Sequence, residues 1–178
     1  MKKLLTFAAI VMIAATTRAA AIGWSIMGAS AYANGAYNVF VVGINGVTDA
    51  SQIAALVAAG TGVDSYAFYS GGTVNASGMA SLAATASGKS ITYSGSGTDT
   101  YQAFAILWTA DGKEASYTSN ASISLANDST SKTIAFGNQS SNLSANKFNV
   151  STSPVPEPTS GLLMLLGMAG LALKRKRA

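Results

Sequence analysis

Short apolar runs separated by turn-forming residues fill the sequence between residues 22 and 137, and they constrain the fold more than any other feature. Runs of about four to ten residues that are rich in β-branched and aromatic side chains and bounded by Gly, Asn or Asp are typical of strands. The predicted strands are residues 22–29, 36–44, 65–69, 90–94, 100–109, 114–119, 121–125 and 132–136. This pattern predicts a mainly β fold, a single antiparallel β-sandwich-like domain.

One segment of this domain, residues 49–59, is predicted to be a short helix. Its apolar side chains follow the i, i+3, i+4 spacing of a stripe that faces a core, at Ile53, Leu56 and Val57. Thr48 or Asp49 is expected to cap the first turn, and Gln52 stands where the partner of a capping box belongs. The Ala-rich residues 77–86 are compatible with either a weak helix or a loop.

The connection between the first two predicted strands contains Ala33-Asn34-Gly35. Asn-Gly is a strong signal for a tight turn because both residues tolerate a positive φ angle. The sequence therefore predicts that these two strands form a β-hairpin.

Charge is concentrated at the two ends of the chain. The sequence has 11 Lys and Arg against seven Asp and Glu. Seven of the cations lie outside residues 22–153, whose charged residues are Lys89, Lys113, Lys132 and Lys147 against Asp49, Asp64, Asp99, Asp111, Glu114 and Asp128. The central part therefore has a net charge of −2 and lacks the basic patch that nucleic-acid binding requires.

The sequence contains no Cys and no His. Disulfides, Ser–His and Cys–His nucleophile schemes and His-containing zinc sites are therefore excluded. Asp111 and Glu114 are close enough in sequence for acid–base chemistry, but they flank a turn, where charged residues are usually solvated. Asp99 and Asp128 could contribute to a calcium site, although their spacing is not that of an EF-hand. We expect no cofactor, no metal ion and no enzymatic activity.

Aromatic residues suggest a different function, the binding of carbohydrate by stacking on an exposed ring. Tyr32, Tyr93 and Tyr117 are candidates for such exposed rings. Trp24 and Trp108 could form a stacking platform, but both lie in apolar strands, where packing in the core is the more common role.

The N-terminal end has the layout of a secretory signal peptide. Two lysines precede an apolar run of about 12 residues, 4–15, and a segment of mostly small residues, 16–21, follows it. Cleavage after Ala21, with Ala19 at the minus-three position, fits the preference for small residues at these positions. Cleavage after Ala19 is the alternative. Signal peptidase is therefore an expected partner.

The C-terminal end combines three features in a fixed order. Pro156-Glu157-Pro158 precedes an uncharged apolar run, residues 160–173, which four cations follow: Lys174, Arg175, Lys176 and Arg177. A helix of about 14 residues is roughly 21 Å long, which is short for a membrane span of about 20 residues. The cations favour a cytoplasmic C-terminus, and the two prolines favour an extended, accessible peptide on the other side of the membrane.

In this order the three features resemble the PEP-CTERM sorting signal of exported bacterial proteins, over residues 155–178. The resemblance implies that Pro156, Glu157 and Pro158 are recognised by exosortase, a membrane-embedded transpeptidase-like enzyme. It also implies that the basic cluster retains the precursor in the inner membrane. Release to the cell surface or extracellular matrix of a Gram-negative-type bacterium would follow.

These observations predict four parts: a signal peptide (1–21), a β-rich extracytoplasmic domain (22–137), a polar linker (138–154) and a sorting signal (155–178). An N-terminal signal helix and a C-terminal transmembrane helix thus flank the domain. The expected function is that of a non-catalytic structural or adhesive protein of the envelope or extracellular matrix. The alternative is a surface carbohydrate-binding module that uses exposed aromatic residues, with envelope polysaccharide as its partner.

Overall fold

The computed structural model describes residues 17–95, 97–126 and 129–151. Within these ranges the strands are β1 (Arg18–Met27), β2 (Ala36–Val41), β3 (Tyr69–Thr73), β4 (Ala80–Leu82), β5 (Ser90–Tyr93), β6 (Asp99–Trp108), β7 (Glu114–Tyr117), β8 (Ala121–Leu125), β9 (Ser131–Asn138) and β10 (Lys147–Asn149). The helices are α1 (Ala50–Ala58), α2 (Ala84–Ser87) and α3 (Ser140–Ala145), with a 3-10 turn at Ser30–Tyr32. The prediction of a mainly β fold is confirmed.

The strands form two sheets, each built around one long strand. In the first sheet β1 pairs with β9 along one edge and with β4 and β5, placed end to end, along the other. In the second sheet β6 pairs with β2 along one edge and with β7 and β8 along the other, while β3 and β10 extend the two sides. The β1–β9 pairing is parallel. The first sheet is therefore mixed, and this parallel pairing departs from the predicted antiparallel arrangement.

An inner cluster of apolar side chains lies between the two sheets. Successive side chains of a strand point to opposite faces, so one face of β1, β2 and β6 supplies this cluster. Its largest fully buried members include Ile22, Trp24, Ile26, Leu107, Leu125 and Ile134. Because both sheets contribute side chains, they share one core.

An outer cluster covers the opposite face of the second sheet. Phe40 of β2 and Phe104 of β6 are cross-strand partners whose rings stack with centroids 5.2 Å apart. They belong to one buried group with Ile53 and Val57 of α1. The predicted apolar stripe of this helix therefore faces a core, with Leu56 packed at its side.

The start of α1 follows the predicted capping pattern. Asp49 is the N-cap residue, and its carboxylate accepts a hydrogen bond from the Gln52 backbone N–H at 2.9 Å. The Gln52 side-chain oxygen in turn accepts from the Thr48 backbone N–H at 2.8 Å. One N–H of the first turn, that of Gln52, is thereby paired, and the Gln52 side chain also pairs the N–H of the residue before the cap.

The predicted hairpin between β1 and β2 is wrong, since these strands lie in different sheets. Each buries one face in the inner cluster, so they oppose each other across the core instead of pairing along an edge. Asn34, with a φ of 62°, turns the chain after the 3-10 turn. Gly35 lets the backbone pass close to Trp108, because a Cβ atom at this position would lie 1.8 Å from the Trp108 carbonyl oxygen.

Two other segments differ from their predictions. The predicted strand 65–69 is present only at its last residue. Residues 64–66 form a turn, and β3 begins at Tyr69. Residues 77–86, which suggested a helix or a loop, contain β4 and most of α2. Gly23 of β1 accommodates α2, since a Cβ atom at this position would lie 2.5 Å from the Ala84 backbone nitrogen.

The predicted polar linker, residues 138–154, is folded as far as the structure describes it. It contains the end of β9, all of α3 and all of β10. Leu143 is 2% exposed, and the Ser116 hydroxyl donates to its carbonyl at 2.7 Å. Lys147 Nζ lies 2.6 Å from Glu114 Oε2 beside the β7–β10 pairing. A few well-placed contacts thus hold a segment whose composition is mostly polar.

Candidate functional site

The folded body ends close to the predicted sorting motif. Val150 N–H donates to the Lys113 carbonyl at 2.8 Å, and Ser151 N–H donates to the Ala58 carbonyl at 3.0 Å. Pro156 is five residues beyond Ser151, a separation of at most about 18 Å in an extended chain. The motif residues Pro156, Glu157 and Pro158 and the cluster Lys174, Arg175, Lys176 and Arg177 lie outside the described residues, as does the predicted transmembrane helix.

The predicted signal-peptide cleavage residues lie in a strand. Ala19 and Ala21 belong to β1 and pair with Thr92 and Ser90 of β5. Cleavage after Ala21 would remove this pairing, whereas the pairing of β1 with β4 begins only at Trp24. Residues 1–16 of the predicted signal peptide lie outside the described residues, and its last four residues, 18–21, form the start of β1.

The second sheet carries a groove at the end where β6 stops, which we call the Trp108 groove. Its floor is formed by Ala36 and Asn38 of β2 and Trp108 of β6, and its walls by residues 60–64, 109–110, 112 and 150–151. Its volume is about 620 Å³, within the range of about 300–1,000 Å³ typical of small-molecule sites. The groove adjoins the point at which the chain continues toward its tail.

A hydrogen-bonded polar pair lies in this groove. Asn38 is 5% exposed, and its side-chain Nδ2 donates to Asp64 Oδ1 at 2.9 Å. The Asn38 Oδ1 atom accepts from the Gly71 backbone N–H at 3.1 Å. Because both ends of the Asn38 amide are fixed, the exposed Asp64 carboxylate is held in a defined position.

Trp108 is the aromatic residue of the groove. It is the last residue of β6 and is half-buried, with its apolar surface packed against the outer cluster. The Gly35 backbone passes directly beside its carbonyl group. Packing therefore holds the half-buried Trp108 in place, and this residue lines the groove.

The other carboxylates with proposed chemical roles serve local structure. Asp111 accepts from the Thr109 hydroxyl at 2.6 Å and from the Lys113 backbone N–H at 3.2 Å, and these bonds lower the pKa of its carboxyl group. Glu114 instead pairs with Lys147. Asp99 accepts from the Ser94 backbone N–H at 2.7 Å. The second residue of the suggested calcium site, Asp128, lies outside the described residues.

The tyrosines expected to be exposed are mostly buried, which corrects the sequence interpretation. Tyr32 and Tyr93 are each 3% exposed, because both belong to the inner cluster. The Tyr93 hydroxyl donates to the Ser129 carbonyl at 2.9 Å, and burial raises the pKa of Tyr32. Tyr117 is half-buried against the outer cluster. Trp24 packs in the inner cluster as expected, so it forms no platform with Trp108.

The described ranges contain no helix that is long and apolar enough to cross a membrane. They also contain no group of three or more Asp, Glu, His or Cys side chains arranged to hold a metal ion.

A folded β-rich body followed directly by a Pro-Glu-Pro segment, an apolar run and a basic end is the plan of an exported protein sorted at the membrane. Residues 154–177 match the family model of the PEP-CTERM protein-sorting motif, which confirms the resemblance of the tail. The motif indicates an exported protein, sorted to the cell surface, whose processing partner is an exosortase-like enzyme. Comparisons of the chain with curated proteins and with solved structures give no match.

Sequence reasoning missed the polar pair Asn38 and Asp64. Asn38 is inconspicuous within an apolar strand, and Asp64 follows a Gly-Thr-Gly segment that indicates only a loop. The sequence does contain one signal, because Asn38 is a polar residue within an apolar predicted strand. A buried Asn requires hydrogen-bonding partners, so such a residue indicates a polar contact nearby.

Proposed function

We propose that this chain is a non-catalytic structural protein of the bacterial cell surface or extracellular matrix. Its tail delivers the precursor to an exosortase-like enzyme in the inner membrane of a Gram-negative-type bacterium, and the body is the part that is displayed or released. Signal peptidase acts first, at the N-terminal end.

The observation that carries this proposal is the PEP-CTERM motif at residues 154–177, joined to a body that is folded up to Ser151. The short separation places the body beside the membrane when the tail is engaged. Removal of the tail would then release the folded body without the apolar run and the basic cluster.

The outer face of the first sheet supports a role in a hydrated matrix. Small, exposed hydroxyl side chains lie on it, such as Ser90 of β5 and Ser131 of β9. Thr92 and Thr133 extend the same polar face. Hydroxyl groups on a sheet face can exchange hydrogen bonds with water and with polymer hydroxyls, so this face suits contact with hydrated material.

The second sheet has a similar polar area beyond the outer cluster. Thr100 and Ser124 lie 3.2 Å apart through their hydroxyl oxygens, and Gln102 Nε2 donates to Ser122 Oγ at 3.1 Å. Among the described residues, the large apolar side chains with high exposure are Met27 and Met79. Two such side chains are too few to make the large contiguous apolar patch that marks a membrane or protein interface.

The tail is tested by replacing Pro156 and Pro158 with Ala in the native host. Export should continue, because the N-terminal signal is unchanged, but membrane-bound precursor should accumulate, since the extended recognition peptide is lost. Immunoblots of the inner membrane, envelope and medium measure the distribution. Pro154→Ala is the matched control, since it removes a proline outside the Pro-Glu-Pro sequence and should leave processing unchanged.

The structural role is tested in the same strains by fractionating the surface material. A structural component should be abundant in the matrix fraction that resists a salt wash, and the Pro156→Ala/Pro158→Ala protein should be missing from it. Unchanged processing of that variant would contradict sorting through the tail. Normal processing of the wild type with no protein in the matrix fraction would contradict the structural role alone.

A further inference from the structure

We propose that the Trp108 groove is a binding site for a neutral saccharide. The geometry brings a half-buried indole, a positioned carboxylate and exposed loop backbone to one end of the second sheet. None of the sorting-motif residues is among those that line this site, and a ligand bound there would add to the proposed structural role.

The first requirement of a saccharide site is a flat apolar surface. A pyranose ring has a face of C–H groups that packs on an aromatic ring, and Trp offers the largest such ring. Trp108 meets this need because it packs on the outer cluster, is only half-buried and is one of the residues that line the groove. Trp24 is 1% exposed and cannot serve in this way.

The second requirement is a set of polar groups that recognise hydroxyls beside the ring. Asp64 is exposed, and only its Oδ1 atom is used by Asn38. A carboxylate can accept several hydrogen bonds, and bonds to charged acceptors are the stronger ones. Asn38 acts as a positioning residue, because its contacts with Asp64 and Gly71 fix the direction of the carboxylate.

The shape of the groove suits a chain of sugar units. Gly62, Gly71 and Gly112 line it, and a Cβ atom added at any of the three would meet no other atom within 4 Å. The missing side chains leave the groove open along its walls. An open groove of about 620 Å³ accommodates a segment of a longer polymer as well as a free oligosaccharide.

Charge selects among the possible ligands. Asp64 is the ionisable side chain that lines the groove. An anionic polymer would bring like charges together at this carboxylate, which is unfavourable where water is partly excluded. A cationic headgroup would suit a cage of several aromatic rings, whereas the described lining supplies one ring, Trp108. A neutral saccharide matches both the single ring and the hydroxyl-binding groups.

The test uses the full chain purified in a polyoxyethylene detergent, because detergents with sugar headgroups would compete for the groove. Electrophoresis in gels containing dextran, hydroxyethyl cellulose or galactomannan measures affinity for neutral polysaccharides. Alginate and poly-lysine serve as anionic and cationic comparators. The account predicts retardation by at least one neutral polymer that depends on Trp108. Alginate can bind the basic ends of the full chain, so any retardation by alginate or poly-lysine should be the same for the wild type and Trp108→Ala.

Two substitutions assign the binding to the groove. Trp108→Ala should weaken affinity for the neutral polymer by about tenfold or more, the size expected for truncating an aromatic anchor. Asp64→Asn keeps the acceptor for Asn38 but removes the charge, so affinity should fall by about five- to tenfold. Tyr117→Ala is the matched control, since this half-buried aromatic residue packs on the same outer cluster without lining the groove. It should leave affinity unchanged.

A measurement on the wild-type protein tests the proposal even if the Trp108→Ala variant fails to fold. Iodide quenches exposed indoles, so Trp108 should be the main quenched residue and Trp24 should be protected. The bound neutral polymer should reduce this quenching. The proposal is overturned if no neutral polymer binds, if Trp108→Ala also weakens binding of alginate or poly-lysine, or if binding of the neutral polymer leaves the quenching of Trp108 unchanged. Normal sorting together with any of these results would leave the structural role standing.

Discussion

The inner and outer clusters bury similar side chains but are closed in different ways. The inner cluster lies between two hydrogen-bonded sheets, and Trp24 at its centre donates from Nε1 to the Tyr37 hydroxyl at 3.0 Å. The outer cluster has a sheet on one side only. Its cover consists of α1, the loop around Val63 and Ala67, and partly buried Phe148 and Val150.

This difference separates the framework of the molecule from the part that carries candidate sites. Strand pairing along β1 and β6 ties the inner cluster together over long distances in sequence. The outer cover consists of separate short segments, and the Trp108 groove and the exit toward the tail both lie among them. Binding sites commonly form where loops rest on a rigid scaffold. We therefore expect substitutions in the inner cluster to affect stability more than comparable ones in the outer cluster.

The largest effect is expected for Trp24→Ala. Loss of a fully buried indole should lower the free energy of unfolding by about 3–5 kcal/mol, and it also leaves the buried Tyr37 hydroxyl without its donor. Urea denaturation of the full chain in detergent measures the change. Trp108→Ala is the matched comparison and should cost clearly less, since Trp108 is only half-buried. An equal or greater loss of unfolding free energy for Trp108→Ala would contradict the expected difference in stability between the two clusters.

An intermediate effect is expected for Ile53→Ala in α1. Ile53 is fully buried beneath the helix, and the substitution should cost about 2–3 kcal/mol, at the lower end for such residues because the helix can shift into the space. Hydrogen exchange should increase in α1 before it increases in β1. Ala55→Ser, at an exposed position of the same helix, should change little. Simultaneous loss of protection in α1 and β1 would show that the outer layer is not a separate unit.

The smallest effect is expected for the cap of α1, and it should appear as a pH dependence of stability. The hydroxyl of Ser51 and the backbone N–H of Gln52 donate to the Asp49 carboxylate, and these bonds lower its pKa in the folded protein. Because the pKa of this carboxyl group is lower in the folded state, the ionised group stabilises the fold at pH values above its unfolded pKa of about 3.9. This stabilisation is lost as the pH falls through the folded pKa. Asp49→Asn keeps an N-cap acceptor but removes the titration.

Thermal melting of both proteins between pH 6 and pH 2.5 tests this cap. The wild type should lose slightly more stability than Asp49→Asn below about pH 4. Other carboxylates, including Asp111, are present in both proteins and therefore cancel in the comparison. Identical losses in the two proteins would show that the Asp49 carboxylate adds nothing to the cap.

Features encoded by neighbouring residues could be predicted from the sequence. The helix α1 combines a cap and an apolar stripe within about a dozen residues, and β6 and β8 stand out by their apolar character and alternation. The placement of β1 and β2 in different sheets could not be predicted, because a turn sequence does not say which edge a strand pairs with. The folding of residues 138–151 could not be predicted either, because Leu143 and Phe148 are too widely spaced to form a pattern.

The two sites differ in the same way. The sorting motif is contiguous, so Pro-Glu-Pro, the apolar run and the basic cluster could be recognised from the sequence alone. The Trp108 groove draws on residues from five separate stretches of the chain, and only folding brings Asn38, Asp64 and Trp108 together. Alternation of polar and apolar residues likewise did not reveal that Tyr32 and Tyr93 turn into the inner cluster.

The intact mass of the protein recovered from the envelope and medium of its native host tests the central claim most directly. The account predicts a species that begins at Ala20 or Ile22 and ends near Pro158, without the basic end of the tail. Such a mass would show that both ends are removed and that the body is released as a sorted surface protein. A species that still contains residues 174–178 would contradict the account, because the protein would then be a permanently anchored membrane protein.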